Sequence, residues 1–201
     1  MNRVLAPRAP IEPEDVIVAC SATALSGVLG FALAEPSDGI LVSRPVYGRF
    51  ELDYGIEAGV QIVYADSGPE EAFTTAVVDR YEAALHEAQQ RGVTVRAVVL
   101  VNPHNPVGEL GLRPSKCFEN ALLTGTGRCY PVETLEAVLK FCNKHQLHVI
   151  ADEIYASCVF PTGDPAAVPF TSVLALDIPA LIDPALVHLL YGFSKVSLPK
   201  E

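Results

Sequence analysis

Five short groups with chemically useful side chains each follow an apolar run: Ser21-Ala22-Thr23, Arg44-Pro45-Val46-Tyr47, Asn102-Pro103-His104-Asn105-Pro106, Asp152-Glu153-Ile154-Tyr155 and Gly192-Phe193-Ser194-Lys195. Ser21 and Thr23 sit where an apolar run gives way to a helical pattern. Free backbone N–H groups and the helix dipole at such a place favour a phosphate, and a plain N-cap is the competing reading. Asp152 follows a run expected to be a buried strand, so its carboxylate is expected to lose water and need a cation, or else backbone donors in a purely structural role. Tyr155 follows three residues later. A lysine held beside a pocket has its pKa lowered and becomes a nucleophilic amine; taken alone, Lys195 reads as a surface lysine.

The elements that must position these groups follow from periodicity. Apolar, β-branched runs at Val16–Cys20, Ile40–Ser43, Val60–Tyr64, Val95–Val101, Leu147–Ala151 and Leu186–Leu190 predict strands. Helical patterns cover Thr23–Ala34, weakly Arg49–Ala58, then Glu70–Arg91 and Val132–His145, with Gly92 as a stop and Pro131 near a start. Strands alternating with helices imply βαβ units and a mostly parallel sheet, and near-continuous apolar strands imply a sheet covered on both faces. The expected class is therefore α/β, a three-layer αβα sandwich. In such sheets ligands bind beyond the carboxyl ends of the strands, where the five groups lie.

Composition limits the function classes. The 201 residues are 50% apolar and 19% charged, which excludes a disordered chain. Lys plus Arg is 14 against 24 for Asp plus Glu, a net charge of −10, which argues against nucleic acid as a partner. The five cysteines, Cys20, Cys117, Cys129, Cys142 and Cys158, form no CxxC pair. That pattern suggests neither a disulfide framework nor a metal site, but reduced thiols and a cytoplasmic location. Residues 1–10 have no apolar h-region of a signal peptide. The uncharged stretch Val16–Ala34 is about as long as a bilayer span. Its Gly, Ser, Thr and Cys content and acidic flanks favour a strand, a turn and a buried helix instead, with no membrane partner. A nucleotide-binding module is disfavoured, because neither a Gly-rich dinucleotide fingerprint nor a P-loop occurs.

Asn-Pro-His-Asn-Pro, Ala-Asp-Glu-Ile-Tyr and Tyr-Gly-Phe-Ser-Lys, each after a strand and in that order, resemble the fold-type-I pyridoxal-phosphate (PLP) enzymes. More narrowly the chain resembles the class I/II aminotransferase family, near its 1-aminocyclopropane-1-carboxylate synthase-like branch, from about Leu5 to Lys195. The resemblance implies a PLP-transferase-like large domain and an enzyme that transforms α-amino acids, with amino acids and 2-oxo acids as substrates. It implies that Lys195 forms a Schiff base with PLP and shuttles the Cα proton, and that Asp152 pairs with the pyridinium nitrogen. Tyr155 and Asn105 would hydrogen-bond the phenolate oxygen, making Lys195, Asp152 and Tyr155 the catalytic set. Ala22 and Thr23 would contribute to a phosphate cradle that Ser194 touches. Tyr47 would lie near the ring face, with Val46 and Tyr47 both open as the stacking position. His104 receives no catalytic role.

The family pattern also breaks. After Asn-Pro-His-Asn-Pro-Val-Gly, a block at 109–127 precedes Arg128-Cys129-Tyr130-Pro131; its removal would restore a family-like run, so the block reads as a retained intron or other gene-model error rather than a surface loop. Residues 1–195 are thus expected to be a partial PLP-binding large domain, and 196–201 a tail unlike the family. The small C-terminal domain and both anion-gripping arginines of the family are expected to be absent, and Gly192 stands where many relatives carry a phosphate-binding serine. A homodimer is expected for the full-length family rather than for this stretch. Transamination is the leading expectation. The alternatives are a catalytically silent truncated product that binds PLP at most, and a 1-aminocyclopropane-1-carboxylate synthase-type lyase. Exposed apolar surface, and with it aggregation, is expected of such a fragment.

Overall fold

The computed structural model describes residues 1–106, 128–159, 165 and 167–195. The block at 109–127 and the tail at 196–201 lie outside the described residues. In chain order the helices and strands are α1 (Asn2–Leu5), α2 (Ala22–Leu33), β1 (Gly39–Arg44), α3 (Phe50–Ala58), β2 (Gln61–Asp66), α4 (Gly68–Glu71), α5 (Val77–Gln90), β3 (Val95–Val101), α6 (Val132–His145), β4 (His148–Asp152), α7 (Ile178–Leu181) and β5 (Val187–Leu190). Among the described residues the strands form one parallel sheet in the order β2-β1-β3-β4-β5. The chain leaves β1 for β2 on one side and returns to β3 on the other, so the strand order reverses between β1 and β3, the kind of place where open α/β sheets leave a ligand crevice.

Side-chain alternation along the strands builds two cores, one on each face. Leu41, Val63, Val98, Leu100, Val149 and Ala151 point to one face and pack under α5 and α6, with Val77, Tyr81 and Leu85 from the first helix and Leu135, Val138 and Leu139 from the second. Ile40, Val42, Ala97, Val99, Val101, Ile150 and Leu190 point to the other, under α2 and α3. The three-layer αβα arrangement expected from the sequence is the one observed. The α2–α3 contact depends on glycine: a Cβ at Gly30 would lie 3.2 Å from Ala58 Cβ and 3.3 Å from Tyr54 O. Gly59 ends α3 at φ 68, a left-handed conformation that glycine adopts without a Cβ clash.

Three expectations are corrected. Val16–Cys20 forms no strand; Ile17 and Val18 are 80% and 87% exposed. A β-branched run becomes a strand only where a neighbour supplies ladder partners, and among the described residues β5 pairs with β4 alone and nothing pairs with Val16–Cys20. The predicted buried helix after it, α2, buries Ser26, Gly27 and Gly30 but leaves Val28 and Phe31 exposed on its outer side. The helix expected over Glu70–Arg91 is interrupted between α4 and α5, where Thr74 Oγ1 donates to Glu71 O at 2.9 Å and Ala72 and Phe73 turn into the core. Side chains that bond nearby carbonyls compete with the helical ladder in this way. No helix among the described residues is long and apolar enough to cross a membrane.

Candidate functional site

The carboxyl ends of β3, β4 and β5 and the start of α2 converge at one end of the sheet. Asn102 organises this end. Its backbone N–H donates to Asp152 O at 2.9 Å, its side-chain Nδ2 to Thr171 O at 2.9 Å, and its Oδ1 accepts from Tyr130 N at 3.2 Å. His104 N donates to Arg128 O at 2.9 Å, so the two flanks of the undescribed 107–127 stretch are tied together beside the site. Three cis peptide bonds, Arg44–Pro45, Asn102–Pro103 and Asn105–Pro106, lie in the loops leaving β1 and β3.

Asp152 is the last residue of β4 and 7% exposed. Its Oδ1 accepts from Ile154 N at 3.3 Å. Burial pushes the carboxyl up to about 6. The Ile154 N–H and the charge of Lys195 hold it down, and the neighbouring Asp53 carboxylate adds to the rise. Sequence alone admits either a cation or the backbone as the partner of this acid. A single backbone bond at 3.3 Å leaves the carboxylate under-satisfied, and the charge of Lys195 acts on it. Lys195 lies beyond the end of β5 with Nζ 5.5 Å from the Tyr155 ring centroid. Tyr155 OH accepts from Asn105 Nδ2 at 3.2 Å, and its pKa is raised by burial and by the Asp152 charge. Lys195, Asp152, Tyr155 and Asn105 are thus brought together.

The remaining expected residues surround this set less tightly. Ser21 is the N-cap of α2, its Oγ accepting from Ala24 N at 3.0 Å, which is the capping alternative. Thr23 lies on the α3 side of α2, close enough to Asp53 to lower the pKa of that carboxyl. Ala22 and Ser194 line a cavity of about 890 Å³ bounded also by Leu25, Tyr191, Gly192 and Phe193, whereas Asp152, Tyr155, Asn105 and Lys195 are not in its lining. Tyr47 packs edge-on against Phe50 at 5.4 Å, and both Tyr47 and Val46 sit partly buried on the α2–α3 core. His104 is buried against Phe73 and held down to about 4 by burial and the Arg128 charge, so it is neutral at pH 7. Among the described residues no group of three or more His, Cys, Asp or Glu could hold a metal.

Several residues at the site carried no signal that singled them out in the sequence. Asp53 and Tyr54 reach Asp152 from α3; both are buried, which pushes both pKa values up. Glu153 is fully buried. Its Oε1 accepts from Val173 N at 2.8 Å, its Oε2 makes no hydrogen bond, and burial pushes it up to about 7. Ser157 and Tyr191 share a hydroxyl hydrogen bond of 2.7 Å, and Cys158 Sγ donates to Lys195 O at 3.0 Å, joining the loop after β4 to the segment after β5. Glu153 and Tyr191 fall inside the motif groups, but nothing local tells which of their atoms is buried or paired.

Comparison with known proteins bears on this site. The family model described as aminotransferase class I and II matches residues 2–111 and 124–197, leaving a gap inside the 109–127 block. A probable aminotransferase of Aspergillus fumigatus is 31% identical over 202 residues, covering 96% of this chain and 40% of that protein. The 1-aminocyclopropane-1-carboxylate synthase 1 of Prunus mume is 30% identical, covering 97% of this chain and 35% of that one. The chain therefore spans about two-fifths of the length of the curated relatives it matches. Among solved structures, cystalysin of Treponema denticola, which contains a pyridoxal 5'-phosphate cofactor, superposes with a TM-score of 0.68 at 17% identity over 97% of this chain and 41% of its own. An aspartate aminotransferase mutant of Thermus thermophilus gives 0.65 at 21%, over 96% and 42%. At these identities the structures speak to the fold alone.

Proposed function

This chain belongs to the class I and II aminotransferase family, whose members are PLP-dependent enzymes acting on amino and keto acids, and from that premise we propose that it binds PLP at Lys195 and serves the transamination of α-amino acids. The observation that carries the reading is Asp152: a buried carboxylate with one weak backbone donor, an amine nearby, and a Tyr155–Asn105 hydrogen-bonded pair beside it. Such an acid suits a cationic ring nitrogen, and the donor set suits a phenolate oxygen, so the residues fit the cofactor.

In this reading Lys195 holds the cofactor through its amine and takes and returns the proton at the substrate Cα. Bound PLP supplies an electron sink for the bond being broken at that carbon. Asp152 keeps the ring nitrogen protonated, and Tyr155 with Asn105 holds the phenolate oxygen. Ala22, Thr23 and Ser194 meet the phosphate at the start of α2, and Tyr47 lies toward the ring face. A cytoplasmic location, and a homodimer for full-length members of the family, belong to the same proposal, as does the division into a partial large domain over 1–195 and a dissimilar tail over 196–201. A second reading, a lyase of the aminocyclopropane-carboxylate synthase type, is favoured by the near-equal identities to both kinds of relative, 31% and 30%.

The test begins with the purified chain, PLP and borohydride. The expected result is a reduced PLP adduct on Lys195 by peptide mass mapping, lost in Lys195→Ala. Label on another lysine, or none, refutes the site. A panel of amino acids with 2-oxo-acid acceptors then separates transfer from elimination and from a binding-only chain.

A further inference from the structure

The opposite end of the sheet carries a second pair of chemically competent side chains. His148 is the first residue of β4 and His188 the second of β5. Because Ile150 pairs laterally with His188, and His148 is one pleat before Ile150, both imidazoles stand on the same face of the sheet as diagonal neighbours. Their ring centroids are 5.0 Å apart at 39°, with His148 Nδ1 3.0 Å from His188 Nε2. Both rings are partly exposed, so an ion can reach them from solvent.

We propose that His148 and His188 form a two-imidazole site for a late first-row transition-metal dication, Ni²⁺ or Cu²⁺, at the amino-terminal end of β4 and β5. The argument is geometric. Metal–imidazole bonds of about 2.0–2.1 Å place two ligand nitrogens about 2.9 Å apart at a right angle and about 3.4 Å apart at a tetrahedral angle. The observed 3.0 Å, set here by a hydrogen bond, is within about 0.1 Å of the right-angle spacing, so tetragonal Ni²⁺ or Cu²⁺ needs less separation of the rings than tetrahedral Zn²⁺. In the metal-free pair one ring donates its N–H to the bare nitrogen of the other. Binding requires both facing nitrogens bare, which one ring achieves by moving its proton to the far nitrogen, with no net proton released from two neutral rings. Burial holds both rings below the usual histidine range, and His148 further lowers His188. Water completes the coordination, since no third His, Cys, Asp or Glu joins the pair among the described residues. The site is separate from Asp152: four residues of strand, about 13 Å, lie between His148 and that carboxylate. A bound ion would cross-link β5 to β4.

The test is calorimetric titration of the 201-residue chain with Ni²⁺, alongside His148→Gln, His188→Gln and the surface control His86→Gln. One Ni²⁺ per chain is expected, with a rise in Tm. Each of the first two variants should weaken binding by roughly tenfold or more and abolish the Tm rise, while the control changes neither. No binding by wild type at millimolar Ni²⁺, equal binding by all four proteins, or a near-ultraviolet thiolate charge-transfer band would overturn the proposal. Pulsed EPR of the Cu²⁺-loaded wild-type chain requires no variant and must show two imidazole nitrogens; one or none refutes the site.

Discussion

Replacing Glu153 by glutamine isolates the cost of a buried acid. Glu153 is fully buried beside the candidate site, and its pKa rises from 4.5 to about 7, chiefly by burial. A carboxyl whose folded pKa is raised holds its proton longer in the native state than in the unfolded one. Its contribution to stability is complete below pH 4.5 and is lost as pH rises through about 7. With 1.36 kcal/mol for each unit of difference, about 2–3 kcal/mol is lost between pH 5 and pH 8 through this one group. Glutamine keeps the acceptor for Val173 N but does not titrate. Its amide fills the place of the unbonded Oε2, a pH-independent cost of about 1–3 kcal/mol. The sharp quantity is therefore the difference between two differences. Urea unfolding of wild type and Glu153→Gln at pH 5 and pH 8 should show the variant gaining about 2–3 kcal/mol on wild type between the two conditions. Asp152 titrates in both proteins and largely cancels. A variant effect that is the same at both pH values would refute the assignment of a raised pKa to Glu153.

Two further outcomes are expected. Gly30→Val forces side-chain atoms against Ala58 and Tyr54 and should cost about 1–3 kcal/mol in the same unfolding assay; an unchanged midpoint would mean that α2 and α3 are not closely packed at that point. Tyr155→Phe removes the acceptor of Asn105 Nδ2 and the proposed donor to the phenolate oxygen, and should weaken PLP binding roughly tenfold with the far-UV spectrum unchanged, as read by PLP titration.

What was legible in the sequence divides along a physical line. Val95–Val101 and Val132–His145 appear with the predicted bounds, because an apolar β-branched run broken only by the exposed Arg96 and a strong 3.6-residue period each leave one structure that buries them. The order of the strand-end motifs placed Lys195, Asp152, Tyr155 and Asn105 together, since in a parallel sheet every strand delivers its last residue to the same end. Val16–Cys20 shows the limit: its composition fits a strand, but strand formation depends on a partner elsewhere in the chain. Asp53, Tyr54 and Glu153 were illegible for a related reason. Their proximity to Asp152, or their burial, is set by how α3 and the segment around Val173 pack against the sheet. The hydroxyl pair Ser157–Tyr191 and the imidazole pair His148–His188 join residues 34 and 40 positions apart, and no local pattern announces them.

The position of Lys195 has a kinetic consequence. It hangs five residues past β5, a four-residue strand laddered on one side only among the described residues. A margin bonded once unzips at lower free energy than an interior strand, so β5 amides should exchange with deuterium ahead of those in β3 and β4. The Lys195 ammonium then samples a wider range of positions than the Asp152 carboxylate. Two tethers, Cys158 Sγ to Lys195 O and Ser157 to Tyr191, restrict that range. Oxidising the Cys158 thiol would cut one of them and leave the amine on a longer leash.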